Sequence, residues 1–236
     1  MSKNSFHAFS TGPVQFTFRI VSEARAKSEW IVFILLLMGT TGFAQYSGYE
    51  PVADLESLKK HFSIEAGKIT SIKSHFNQEK SLSMLAEKIN SEGQFWFKRT
   101  GKIRLEYTKP FRYLVILNQG QALIRDEQRE SKIPAQASRA LRQVNHLLAD
   151  AMEGKILTNS DFALRAFESE KSYLIELTPK SKALAGIYQN INIFVDRKDF
   201  TVSVMEMLER NGDKTVMKFV QKEFNADLPE ELFSVH

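Results

Sequence analysis

Beyond residue 70 apolar and polar positions alternate with period two, in runs separated by short turns rich in Gly, Pro, Asn and Asp. Side chains of a strand point to opposite faces in turn, so this pattern predicts half-buried β-strands. From Ser71 to Leu82, one face carries Ile72, Ser74, Phe76, Gln78, Lys80 and Leu82. The stretch from Ser91 to Tyr107 predicts a hairpin. In its first arm Phe95, Phe97 and Arg99 share a face against Gln94, Trp96 and Lys98. In its second arm Ile103, Leu105 and Tyr107 oppose Lys102, Arg104 and Glu106, and Thr100-Gly101 makes the turn. Lys109-Pro110 turns the chain again, Tyr113 to Leu117 is a continuous apolar strand, and Gln121 to Asp126 returns after Asn118-Gln119-Gly120. Further strands are predicted over Phe162 to Phe167, Tyr173 to Leu177, Tyr188 to Val195, Phe200 to Leu208 and Thr215 to Phe224. That makes about ten antiparallel strands, which implies a mainly β fold built on a strongly curved sheet or open barrel.

Two segments depart from period two. Leu55, Leu58 and Phe62 recur at helical spacing behind Asp54 as an N-cap, and the helix resumes towards Ile69 and Ile72 after Gly67. Past Pro134, the segment Ser138 to Met152 puts Leu141, Val144, Leu147, Leu148 and Ala151 on one stripe, with Gly154 as its stop. This longer helix is expected to cover a face of the sheet. No internal repeat, low-complexity tract or linker divides residues 45–236, which read as one domain.

Residues 1–44 read as an export signal. The uncharged run Trp30 to Gly39 follows Arg25 and Lys27, and Gly42-Phe43-Ala44 before Gln45 is a small-x-small cleavage site. A membrane-spanning helix needs ~20 apolar residues, more than this run supplies. Cleavage after Ala44 is the expectation, with an uncleaved anchor as the alternative.

Composition narrows the chemistry. The net charge is +4, of which residues 1–44 supply four Lys and Arg against two Glu, so +2 remains for the rest. That is too little to argue for a nucleic-acid partner. There is no Cys, which removes disulfides, thiolate catalysis and an acylated N-terminal cysteine on this chain. His61, His75, His146 and His236 lack metal-ligand spacing, and no nucleophile, phosphate-loop or dinucleotide motif is present. The reading is a non-enzyme with no metal and no cofactor. Phe is abundant, at 18 residues, which fits either a dense core or a cavity for lipid. Arg99 is the discordant position, a permanent cation ending an apolar row. Buried without partners it would cost several kcal/mol or more. Either it snorkels at a rim, or another element supplies carbonyls or carboxylates to it.

At the hairpin the sequence resembles the LolA family of outer-membrane lipoprotein carriers. The resemblance runs through Phe76-Asn77-Gln78, Gly93-Gln94-Phe95-Trp96-Phe97-Lys98-Arg99 and Leu105-Glu106-Tyr107. It continues in Pro110, Asn118-Gln119-Gly120 and Leu177-Thr178-Pro179-Lys180, covering most of Leu55 to Phe224. It implies an open antiparallel half-barrel under a helical lid, with an apolar cavity for acyl chains between them. Phe95, Phe97, Ile103, Leu105 and Tyr107 would line that cavity from the sheet, and Leu141, Val144 and Leu148 from the helix. Arg99 would be the lid latch, hydrogen-bonded to the lid when the cavity is empty. The implied partners are an acylated lipoprotein or other lipid cargo, an inner-membrane release transporter and an outer-membrane acceptor. A monomer in the periplasm of a Gram-negative bacterium is implied. The family often has Pro after this arginine, where Thr100 stands here. A carrier of another lipid or hydrophobic product, or a lipid-sensing regulatory domain of the same fold, are the alternatives.

Overall fold

The computed structural model describes residues 46–118, 121–126, 130–134 and 147–235. The leader with its Ala44 site, Leu141, Val144 and the first part of the second predicted helix lie outside them. Gly48–His236 and Met1–Ser47 are separate units, and the fold is that of the former.

Twelve strands follow in chain order: β1 (Glu50–Pro51), β2 (Ser71–Leu82), β3 (Glu87–Lys98), β4 (Lys102–Lys109), β5 (Tyr113–Asn118), β6 (Gln121–Asp126) and β7 (Glu130–Pro134). After them come β8 (Phe162–Glu168), β9 (Ser172–Pro179), β10 (Tyr188–Asp196), β11 (Val202–Glu209) and β12 (Lys214–Phe224). They form one antiparallel sheet in the order β1-β8-β9-β10-β11-β12-β2-β3-β4-β5-β6-β7. Among the described residues β1 and β7 do not pair, so the sheet is open. The mainly β, open-sheet expectation holds, with two strands added at the edges. The predicted strand beginning near Ser91 starts at Glu87 instead, because β2 and β3 pair along their full length, from Ser71↔Lys98 to Leu82↔Glu87.

Helix α1 (Leu55–Gly67) runs unbroken past Phe62 and ends at Gly67; the resumption expected towards Ile69 and Ile72 does not occur, because Ile72 already belongs to β2. Asp54 caps it, accepting a hydrogen bond from Ser57 N at 2.9 Å. Leu58, Phe62 and Ala66, one helical turn apart in succession, form its buried stripe. A second helix, α2, is described over residues 147–153, and Gly154 follows it with φ +76°, the left-handed stop. A short α3 (Lys182–Ala185) and a 3-10 turn, Glu230–Phe233, complete the outline.

The sheet buries two apolar faces. On the inner face Phe76, Phe95, Phe97, Ile103, Ile191, Ile193 and Met205 form one cluster with α1 and with Leu147, Leu148, Ala151 and Met152 of α2. On the outer face Trp96, Leu114, Ile116 and Leu123 pack beneath Leu228 and Phe233 of the C-terminal segment. The continuous apolar run of β5 follows from this, since each of its faces meets a different cluster.

Candidate functional site

The inner face is built by parity. Phe97 pairs with Ile103, Phe95 with Leu105 and Gly93 with Tyr107, so the predicted lining residues of the hairpin lie in two adjacent rows. Phe95, Phe97 and Ile103 are fully buried, and Leu105 and Leu148 nearly so. Tyr107 packs at the margin of the same cluster. The aromatic rings meet closely: Phe95 and Phe219 at 5.0 Å between centroids, Phe76 and Tyr107 edge-on at 4.9 Å. α1 and the described part of α2 pack directly on this face.

Two polar groups on this face escape a pattern reading. Tyr107 donates its hydroxyl to Gln78 Oε1 at 3.0 Å, which ties the last residue of the Phe76-Asn77-Gln78 motif to β4. Burial, and secondarily the neighbouring Tyr113, push its pKa up to about 12. The phenol is therefore a donor throughout the physiological range. Ser74, paired with Phe95 across the ladder, has a buried hydroxyl with no hydrogen-bond partner among the described residues. Its even parity with Phe76 was the only available signal.

Arg99 lies in the three-residue turn between the paired Lys98 and Lys102, and is half-buried. Its backbone N–H donates to Thr70 O at 2.8 Å, prolonging the β2–β3 ladder by one rung. Its Nε donates to Ile69 O at 3.0 Å and its Nη2 to Ala66 O. Ala66 is in the last turn of α1, at the negative end of its dipole, and Ile69 lies just beyond the cap residue Lys68. The last turn of α1 contains no basic residue of its own, so Arg99 supplies the complementary cation from the sheet. The carbonyls come from the last turn of α1 and the residues just after it, whereas the stronger apolar stripe of the second helix had pointed there.

The same turn also reaches α2. Gly101 N donates to Glu153 Oε1 at 3.1 Å, and Lys155 pairs with Glu153 Oε2 at 2.5 Å. The two helix ends approach very closely. A Cβ on Gly154 would stand 2.5 Å from Ala66 Cβ and 3.2 Å from Phe62 O. One turn of three residues thus contacts both covering helices where they meet. Thr100 has φ +78°, a conformation proline cannot adopt because its ring fixes φ near −65°. That accounts for the absence of proline after this arginine.

Sequence and structure comparisons follow the same lines. A family model described as "Outer membrane lipoprotein carrier protein LolA" matches residues 67–236. A protein named outer-membrane lipoprotein carrier protein from Methylococcus capsulatus is 26% identical over 144 residues, covering 61% of this chain and 66% of its own length. One of the same name from Methylibium petroleiphilum is 27% identical over 150 residues, covering 63% and 70%. The chain thus spans just under two thirds of the first relative's length. Among solved structures, a LolA superfamily protein from Nitrosomonas europaea aligns at 12% identity with a TM-score of 0.43, covering 75% of this chain and 97% of that one. The MucA/MucB complex of Pseudomonas aeruginosa aligns at 16% and 0.46, covering 78% and 62%.

Proposed function

This chain belongs to the LolA family of outer-membrane lipoprotein carriers, and we propose that it works as a soluble, non-enzymatic carrier in the periplasm of a Gram-negative bacterium. It takes the acyl chains of a lipoprotein against the inner face of its sheet. It receives that cargo from an inner-membrane release transporter and delivers it to an outer-membrane acceptor, acting as a monomer exported by a leader cleaved near Ala44.

The observation that carries this reading is Arg99 on the carbonyls of α1. A stable core can be covered by apolar packing alone, so a half-buried cation tying down the covering helix is not needed for stability. A carrier does need such a tie. Each acyl CH2 buried is worth ~0.8 kcal/mol, so a long chain gains on the order of 10 kcal/mol in gross terms. Release requires the closed, empty state to compete with that gain. Covering the inner face with α1 and α2 restores most of the apolar contact. The charge-assisted hydrogen bond from Arg99 to Ala66 O adds ~1.5–3 kcal/mol that only the closed state enjoys. Phe95, Phe97, Ile103, Leu105 and Tyr107 are the acyl-facing side of the sheet, with Leu148 opposite. The hydroxyl of Ser74 stands ready for an ester or amide group of the cargo.

Mass analysis of the protein purified intact from periplasm tests this. An acylated protein or peptide in stoichiometric amount is the expected companion. A free lipid would assign the alternative cargo, and the absence of any acylated companion, before or after incubation with a lipopeptide, would refute the carrier reading.

A further inference from the structure

The sheet has a free edge in its middle. β4 ends at Lys109, which pairs with Glu92, so residues 87–91 of β3 have β2 on one side and, among the described residues, no strand on the other. β2 at this level is enclosed, because β12 pairs with it as far as Lys214↔Ser81. The free stretch is five residues long, ~17 Å of unpaired backbone donors and acceptors. The other edges are differently made: β1 is two residues long and includes Pro51, and β7 ends on Pro134. Residues 87–91 contain no proline, and Ile89 is 41% exposed there. A register shift at Glu92 and Gly93 marks where β4 departs.

Beside this edge lies a groove of about 880 Å³, lined by Asn77, Asn90, Ser91, Glu92, Lys109 and Pro110 among others. That volume is of the size that accommodates a ligand. Its carboxylates are already neutralised: Glu92 by Lys109 at 2.6 Å, Glu79 by Lys88 at 2.9 Å and Glu206 by Lys214 at 3.1 Å. What remains is amide and hydroxyl hydrogen-bonding capacity and the ammonium of Lys218. A strand added at the edge would prolong the line of β4 past Lys109, two residues from Tyr107 at the margin of the inner cluster.

We propose that residues 87–91 of β3 pair with an extended, polar, weakly charged polypeptide segment, the linker that joins the acylated end of a cargo protein to its folded part. This rests on the carrier reading and deepens it. Acyl chains on the inner face leave their peptide at the Tyr107 margin, and the free edge, which begins where β4 ends two residues on, offers a linker unpaired backbone. Strand addition recognises backbone, so it tolerates the varied sequences that one carrier must accept. The amide-rich groove, its carboxylates paired and Lys218 beside them, favours Ser-, Asn- and Gly-containing segments over basic ones.

Amide hydrogen exchange on the full chain tests it with three probes: a tripalmitoyl-cysteine peptide with a ten-residue Ser/Asn/Gly linker, the same lipid on cysteine alone, and the long form N-methylated at alternate linker amides. All three are expected to bind. Only the first is expected to slow exchange, by tenfold or more, at one or more amides of residues 88–91. Equal exchange in the three complexes overturns the edge proposal and leaves the carrier reading standing. If none binds, the carrier reading falls and takes this inference with it. Protection without probe that grows with protein concentration would assign the edge to a second copy of the chain, and would also overturn the proposal.

Discussion

Arg99 Nε lies 3.0 Å from Ile69 O, and its Nη2 reaches Ala66 O, at the end of a helix with no cation in its own last turn. The acceptors sit next to the point where α1 becomes β2, so the contact lies at the helix's attachment to the sheet. Motion about the Gly67–Lys68 junction would carry Ala66 away from the guanidinium. The bonds from Arg99 N to Thr70 O and from its Nε to Ile69 O, both acceptors beyond that junction, would stay in place. A small rotation at this point swings the far end of a thirteen-residue helix widely.

The approach of the two helix ends is the second element of the closed state. Gly154→Ala adds a Cβ in a left-handed conformation, ~1–2 kcal/mol in itself, and drives it against Ala66. Urea unfolding is expected to show a loss of about 2 kcal/mol or more. Ala66→Gly alone costs ~1 kcal/mol through helix propensity. The double variant is expected to lose less than the two singles together, because the clash is gone. Strict additivity would contradict the close approach.

The outer face offers a fluorescent report. Glu230 accepts from Lys102 and from Lys98 Nζ at 2.8 Å, and these contacts, that of Lys102 foremost, hold its pKa down to about 2. Lys98 also donates to Leu228 O and Arg104 to Leu232 O, so the C-terminal segment is clamped over Trp96. A lowered pKa contributes stability that is present above the ordinary carboxylate value of 4.5 and is lost as pH falls towards 2. Trp96 is the sole tryptophan after the leader. Its emission in the chain from Gln45 is expected to shift red between about pH 4.5 and 2, and at higher pH in Glu230→Gln. Identical acid profiles for the two proteins would show that Glu230 does not clamp the segment.

Tyr107 predicts an alkaline effect of the opposite sign. Its folded pKa is raised from 10 to about 12, so its contribution is complete below pH 10 and is lost as pH climbs towards 12. Tyr107→Phe leaves Gln78 Oε1 without its donor and is expected to cost about 1 kcal/mol at neutral pH. The same variant should unfold with a shallower loss of stability between pH 10 and 12. A wild-type and variant pair with parallel alkaline slopes would refute the assignment.

Much of this was legible because parity in a strand is rigid. Phe95, Phe97, Ile103 and Leu105 could be put on one face from spacing alone, and the unbroken run of Tyr113 to Leu117 announced a strand buried on both sides. The start of β3 was hidden because residues 87–90 are exposed on both faces, so no hydrophobic alternation marks them. The C-terminal segment shows no period, since Leu228, Phe233 and Val235 attach as an irregular strap. Arg99 stood out as a cation in an apolar row, but its partner could not be read. Unpaired carbonyls at a helix end are backbone groups without a sequence signature. The one local clue was the lack of a basic residue in the last turn of α1.

The most direct test is transfer by Arg99→Leu. Removing the charge-assisted hydrogen bond to Ala66 O, worth ~1.5–3 kcal/mol, shifts the balance between closed and open states at least tenfold towards open. The variant should fold, load an acylated lipoprotein as well as the wild type or better, and release it to an outer-membrane acceptor at least tenfold more slowly, so that loaded protein accumulates. Arg99→Lys should fall between, because lysine keeps the charge without the planar fork of donors. Uptake and release by Arg99→Leu at wild-type rates would contradict the latch.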